Sequence, residues 1–355
     1  MSQCQENIAI FVCLTMGKEN QSLHLNKTES SSRVELFTEE NNFFDFWFGL
    51  VVNNCLNVWS FMTNTVNVIV FIKQGVKKRI NFTLFCLSGS DLMGAMFTTL
   101  ATVGLAGDVY IMSSWIDGNS FFIFFVWFES LFVDLSTALT VFIAIERCTC
   151  VARPLHFKSS FIALHTRGII LIIFLFILAN YIPLLATFEF YEFLNSETNV
   201  TIFKINFPTI NIQLQQCNNF LLCTFLAGIC LICVFVCAII MYRGLQKSSK
   251  VRRSTHANTK KDNSQLAVLS NKERRVVKMI FFLACLYMVS SLPRISFCWT
   301  FAMNEVGPLY FVLTNIFNFA TVTYGAFSIF IYFAFSSSYR VIVLRLFLPS
   351  SQKKT

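Results

Sequence analysis

Residues 135–155 read LSTALTVFIAIERCTCVARPL. An uncharged run, 135–145, ends abruptly in Glu146-Arg147, and two cysteines one residue apart follow at once. Such a pair suits a buried ion pair, a catalytic acid with its anchor, or the end of a membrane helix. The cysteines suit a metal site, a redox pair or neither. Working outward, the apolar character reaches back to about residue 120, so the stretch 120–145 is long enough to cross a bilayer core, which needs about 20 residues of helix. The third reading of the pair is therefore the one to follow.

Six further stretches have the same character, at 46–72, 82–106, 167–188, 219–242, 276–301 and 308–333. Composition agrees. The chain of 355 residues is 55% hydrophobic and 13% charged, with 42 Phe but only 13 Gly and 6 Pro, whereas soluble domains carry about 25% charged residues. The expected fold is an all-α membrane protein, a seven-transmembrane helix bundle. VIVLRLFL at 341–348 is apolar enough to lie in the membrane interface as a short amphipathic eighth helix.

Lysine and arginine set the orientation. Lys73, Lys77, Lys78 and Arg79 fill the first inter-helix loop, Arg153, Lys158 and Arg167 the third, and a basic Ser-rich run over 247–275 the fifth. Arg340, Arg345, Lys353 and Lys354 follow the last stretch, while Glu35, Glu39, Asp45, Glu189, Glu192, Glu197 and Glu305 fall on the opposite side. This places 1–42 outside as an extracellular tail, 43–348 as the membrane domain and 349–355 as a short cytoplasmic tail of a plasma-membrane protein. The loop 247–275 reads as a flexible cytoplasmic segment. The net charge of +9 is a topology signal: scattered over short loops, it points to membrane lipid and argues against a nucleic-acid partner. The short apolar run IAIFVCLTMG at 8–17 lacks a basic leader, which disfavours a cleaved signal peptide. Asn26-Lys-Thr28 and Asn199-Val-Thr201 are glycosylation acceptors on the outside; Asn81-Phe-Thr83 matches the pattern but lies at the cytoplasmic end of a span.

Charges inside spans are costly and mark function by default. Here they are Asp91, Glu129, Asp134, the Glu146–Arg147 pair and Arg294. On a helical wheel Glu129, Ser136, Thr140 and Arg147 fall within about 20° of one line, a polar stripe that must face the interior of the bundle. Asp134 lies off this stripe and needs a partner that the sequence does not name.

Several short motifs carry a resemblance. NVIV at 67–70, LSGSDL at 87–92, ERCTCVARPL at 146–155, YMVSSLP at 287–293 and SIFIY at 328–332, with Tyr339-Arg340 after it, stand in the order of the signature segments of rhodopsin-like G-protein-coupled receptors. The chain resembles a divergent member of that family, and its drift is similar to that of invertebrate chemosensory receptors. Cys148 stands where the family has Tyr, Ser290-Ser291 where it has Cys-Trp, and Ser328-Ile329 where it has Asn-Pro; the usual tryptophan of the fourth helix and proline of the fifth are missing, and Phe122 replaces the outer cysteine of the third helix. Cys217 thus lacks its usual partner, leaving Cys4, Cys13 or a free thiol.

The resemblance implies three sites. An allosteric sodium ion would sit on Asp91, with Ser136, Ser328 and Asn67 as oxygen donors. A switch for coupling to a heterotrimeric G protein would use Glu146, Arg147, Glu273, Tyr242 and Tyr332, with Pro154 and Leu155 in the second cytoplasmic loop. An extracellular ligand, whether amine, peptide or odorant, would meet Glu129 and Arg294, walled by Trp127, Phe297 and Asn318. Glu129 and Arg294 also suit pairing with each other. Cys148-x-Cys150 with His156 falls short of the spacing of a structural metal site, and no cofactor beyond sodium is implied. A multi-pass transporter would show inverted repeats and Gly/Pro-broken helices, and an intramembrane enzyme a metal-binding or paired-carboxylate motif; neither is present. A non-signalling relative of the receptor fold is the remaining alternative.

Overall fold

Backbone that enters hydrocarbon must satisfy its own hydrogen bonds, which a helix does within one segment. A computed structural model describes residues 51–110, 117–152, 161–195, 200–206, 208–257, 271–302 and 308–347. Seven of its helices are long and apolar enough to cross a membrane. They are α1 (Asn53–Gln74), α2 (Arg79–Tyr110), α3 (Gly118–Ala152), α4 (Thr166–Ala186), α5 (209–257), α6 (Asn271–Ala302) and α7 (Pro308–Phe335), followed by the short α8 (Ser337–Phe347). A one-turn helix, Phe161–Leu164, precedes α4. The chain is a multi-pass membrane protein of seven helices.

Burial separates the spans by role. In α3 more than half of the most apolar window is buried, 56%, against 22% in α4. α3 therefore stands at the centre, packed on α2, α4, α5 and α6, while α1 and α7 close the bundle against each other. The main core joins residues of α1 to α8, including Leu87, Leu139, Phe142, Val234, Met241, Ile280, Leu283 and Tyr332. A second cluster, with Ile123, Trp127, Leu131, Ile177, Tyr181, Leu184 and Leu222, fills the space between α3, α4 and α5.

α1 shows how such a bundle inverts the soluble pattern. Its buried face holds Asn53, Asn57, Ser60, Asn64 and Asn67, whereas Val58, Trp59, Phe61, Met62, Ile69 and Ile72 are exposed. In lipid the apolar side chains are content outside, and the polar ones need partners within. The turn into α2 requires Gly75, whose φ of 88° few other residues adopt. Asn81 caps that turn by donating to the Gln74 and Gly75 carbonyls at 3.2 and 3.1 Å, so this sequon is structural.

Three features depart from the sequence expectation. The segment expected to be flexible over 247–275 is helical at both ends, because α5 runs on to Ala257 and α6 starts at Asn271; once a helix is nucleated each further residue adds a bond at little cost. α5 contains a π-helical stretch, Asn219–Leu226, so the fifth span is locally widened without its missing proline. A two-stranded antiparallel hairpin, Glu189–Asn195 with Val200–Asn206, joins α4 to α5 in the register Glu189↔Asn206. It is pinned to the start of α3: the Asp117 amide donates to the Phe203 carbonyl at 3.0 Å, and the Ile205 amide to the Ser120 hydroxyl at 3.0 Å. Asp117 in turn accepts from the Ser120 amide and hydroxyl, at 3.0 and 2.8 Å, as a helix cap does. Cys217 is exposed and bonded to no described cysteine.

Gly244 marks a close approach of α5 to α3. A Cβ there would lie 2.1 Å from Cγ1 of Val151, and a β-branched side chain in a helix has little rotamer freedom to yield. We expect Gly244→Ala to cost about 1–3 kcal/mol, as overpacking does. Thermal unfolding of the detergent-solubilised protein will read the loss, and Val151→Ala in the same chain should restore most of it.

Candidate functional site

The polar stripe of α3 faces inward along its length. The Ser136 hydroxyl donates to Asp91 on α2 at 2.5 Å, and Thr140 shares a hydrogen bond of 2.8 Å with the Tyr324 hydroxyl on α7. Tyr324 meets Tyr287 of α6 edge to face, with ring centroids 5.9 Å apart. Three spans are thus tied together at one level around α3.

Directly beside this level lies a partly open cavity. Glu129 and Asp91 both line it, with Ser60, Ser90, Thr98, Ser136, Thr137, Ser290, Ser291 and Thr321 supplying hydroxyls. Glu129 lies within hydrogen-bonding reach of Thr98. The lining contains no Lys, Arg or His among the described residues. Asn57 lines the cavity as well; it is 2% exposed, and its Oδ1 has no hydrogen-bond partner.

Trp127 stands elsewhere. It is buried against Ile177, Tyr181 and Leu184, with its ring 6.5 Å from that of Tyr181, and does not wall the cavity. Asn318 is exposed and also lies outside the lining. Tyr181 supplies what Asp134 needed: its hydroxyl donates to Asp134 Oδ2 at 2.7 Å, deep between α3 and α4. Arg294 and Phe297 belong to α6, but their side chains lie outside the described residues, as does that of Glu273. Asn26, Asn199, Pro154 and Leu155 lie outside them entirely.

The four residues read as a sodium pocket divide into two groups. Asp91 and Ser136 meet at the cavity. Asn67 and Ser328 belong to a separate network: the Asn67 amide donates to Asn64 at 3.1 Å and to Ser328 at 3.4 Å, its oxygen accepts from the buried Tyr339 hydroxyl of α8, and Ser328 donates to the Gly325 carbonyl at 2.9 Å. Their polar atoms are engaged, so Asn67 and Ser328 do not fit as donors to an ion at Asp91. What they do is dock α8 and α7 onto α1.

At the far end of α3, Arg147 approaches Glu146 at 2.7 Å. Glu146 is fully buried and Arg147 nearly so, at 0% and 12% exposure, and Arg147 Nε has no hydrogen-bond partner. Tyr332 is enclosed between Phe71 and Tyr339, whereas Tyr242 is exposed and stacks on Phe281 of α6. Cys148 and Cys150 are buried; Cys148 meets Cys237 of α5, and no cluster of metal-ligating side chains occurs among the described residues.

Sequence reading missed Asn57, Thr98, Tyr181 and Tyr324. Two of them carried a signal. Thr98 stands seven residues after Asp91, two turns along the same face, as Ser136 stands seven after Glu129. Asn57 belongs to the polar face of α1, which the same wheel would have shown.

Comparison with known families adds one finding. The family model described as 7 transmembrane receptor (rhodopsin family) matches residues 63–340. No curated protein matches the chain.

The Tyr181–Asp134 contact lends itself to a direct test. Removing one partner of a buried, charge-assisted hydrogen bond costs about 1.5–3 kcal/mol. Tyr181→Phe should lower the unfolding midpoint of the purified protein accordingly, and adding Asp134→Asn should recover part of the loss, since a neutral amide tolerates a missing partner better than a carboxylate.

Proposed function

Because the chain belongs to the rhodopsin family of seven-transmembrane receptors, a non-enzymatic signalling family, we propose that it carries an extracellular signal across the plasma membrane to a heterotrimeric G protein. The N-terminus faces outside and the C-terminus the cytoplasm, on the strength of the lysines and arginines that follow α1, α3, α5 and α7. The ligand is a small protonated amine whose ammonium pairs with Glu129. One observation carries this choice among amine, peptide and odorant: a carboxylate lines the cavity with hydroxyls around it and no described basic side chain to neutralise it.

The route from ligand to G protein runs down α3. An ammonium drawn to Glu129 enters the cavity whose floor holds the Ser136–Asp91 and Thr140–Tyr324 contacts. A ligand shifts an equilibrium only by its differential affinity for two states. The contacts able to differ are those that join α3 to α6 and α7, with Tyr287 and Pro293 on the sixth span. Movement there frees Arg147, now held by Glu146, to meet the G protein. A sodium ion, if bound, is held by Asp91 and Ser136 with neighbouring cavity hydroxyls, and stabilises the resting arrangement.

Two substitutions separate the halves of this reading. Glu129→Gln should raise the half-maximal concentration of an activating amine at least tenfold, the equivalent of about 1.4 kcal/mol, at unchanged surface expression. An unchanged response would remove the amine reading. Arg147→Ala should abolish G-protein activation in a nucleotide-exchange assay while amine binding persists; full activation would overturn the coupling mechanism.

A further inference from the structure

Resting on that amine reading, we propose that the cavity takes a linear diamine, with one ammonium at Glu129 and the other at Asp91. Both carboxylates line the same cavity. They do not sit side by side. Glu129 lies two helical turns from Ser136, about 10 Å along α3 at 1.5 Å per residue, and Ser136 holds Asp91. The acids therefore mark the two ends of an elongated space.

The wall between them has the chemistry of a hydrocarbon chain. Gly94 and Ala95 come from the α2 face between Asp91 and Thr98, and Phe132 and Val133 from α3 between Glu129 and Ser136; all four line the cavity. An ammonium carries three N–H donors, so each end needs more than one acceptor. The hydroxyls of Thr98, Ser90 and Ser60 are available in the lining, and the buried, unpartnered Oδ1 of Asn57 is a further acceptor. A monoamine leaves one carboxylate without a counter-charge in a low-dielectric interior, which is costly. A diamine neutralises both. Each ammonium stands about 2.8 Å inside its carboxylate, so the nitrogens lie roughly 4–5 Å apart, the span of about three methylenes.

Sodium and the second ammonium would compete for Asp91, and that competition supplies a readout apart from signalling. The full-length receptor in lipid nanodiscs is titrated with terminal diamines from diaminoethane to diaminodecane and with the monoamine of each length, binding being followed by thermal shift. Diaminopropane and its neighbours should bind at least tenfold more tightly than the matching monoamines, and diaminodecane no better than decylamine. Replacing sodium by N-methylglucamine at constant ionic strength should strengthen binding of these short diamines alone, and Asp91→Asn should remove their advantage. Equal binding of monoamines and diamines, an advantage with no dependence on chain length, or one that survives Asp91→Asn would overturn the second anchor and leave the Glu129 reading in place. Failure of every amine to bind would overturn both. The chain-length series needs only the wild-type receptor, so a poorly folding variant does not blunt the test.

Discussion

A polar side chain in hydrocarbon must find its partner inside the protein, because lipid offers none. Most of this bundle follows from that constraint. It turns the polar faces of α1 and α3 inward and leaves Val58, Met62 and Ile69 outside. It fixes the rotation of α3 through Ser136–Asp91 and Thr140–Tyr324, brings Tyr181 onto Asp134, and seats α8 through Tyr339 and Asn67. Each contact joins different helices, so together they set the packing that the apolar residues then fill.

The cavity is one of the places where this accounting does not close among the described residues. Asn53 Oδ1, Gln215 Oε1 and Asn218 Oδ1 are buried acceptors without a hydrogen-bond partner elsewhere in the bundle. Asp91 and Glu129 share the cavity's lining, and Asn57 Oδ1 stays unpaired there. A buried polar group without a partner costs free energy in the empty receptor, and a ligand that supplies donors recovers it. Binding and folding thus draw on the same interactions, and the site is polar at its ends because the helices there have more polar residues than contacts.

The departures from the family pattern follow the same logic. Where the outer end of α3 has Phe122 in place of a cysteine, the hairpin is held by Asp117 and Ser120 through hydrogen bonds. Where α7 has Ser328-Ile329 in place of Asn-Pro, Ser328 closes on the Gly325 carbonyl and on Asn67. Where α5 lacks its proline, a π-helical stretch appears at Asn219–Leu226. Different residues meet the same need, which is to join or widen particular spans at particular depths.

Seven apolar stretches, their charged loops and the polar stripe on α3 were legible in the sequence, because each depends on hydrophobicity or helical periodicity along one segment. The inward direction of Ser136 and Thr140 could be read from period alone. Which residue each one meets could not. Tyr181 is 47 positions from Asp134, and Asn67 is 272 from Tyr339; such pairs depend on which helix stands beside which, at what rotation and height. The same reason explains why Asn67 and Ser328 parted from Asp91, why Trp127 turned toward α4, and why Asp91 and Glu129 came to share one cavity. A helix declares its own polar face, but only packing decides what that face will touch.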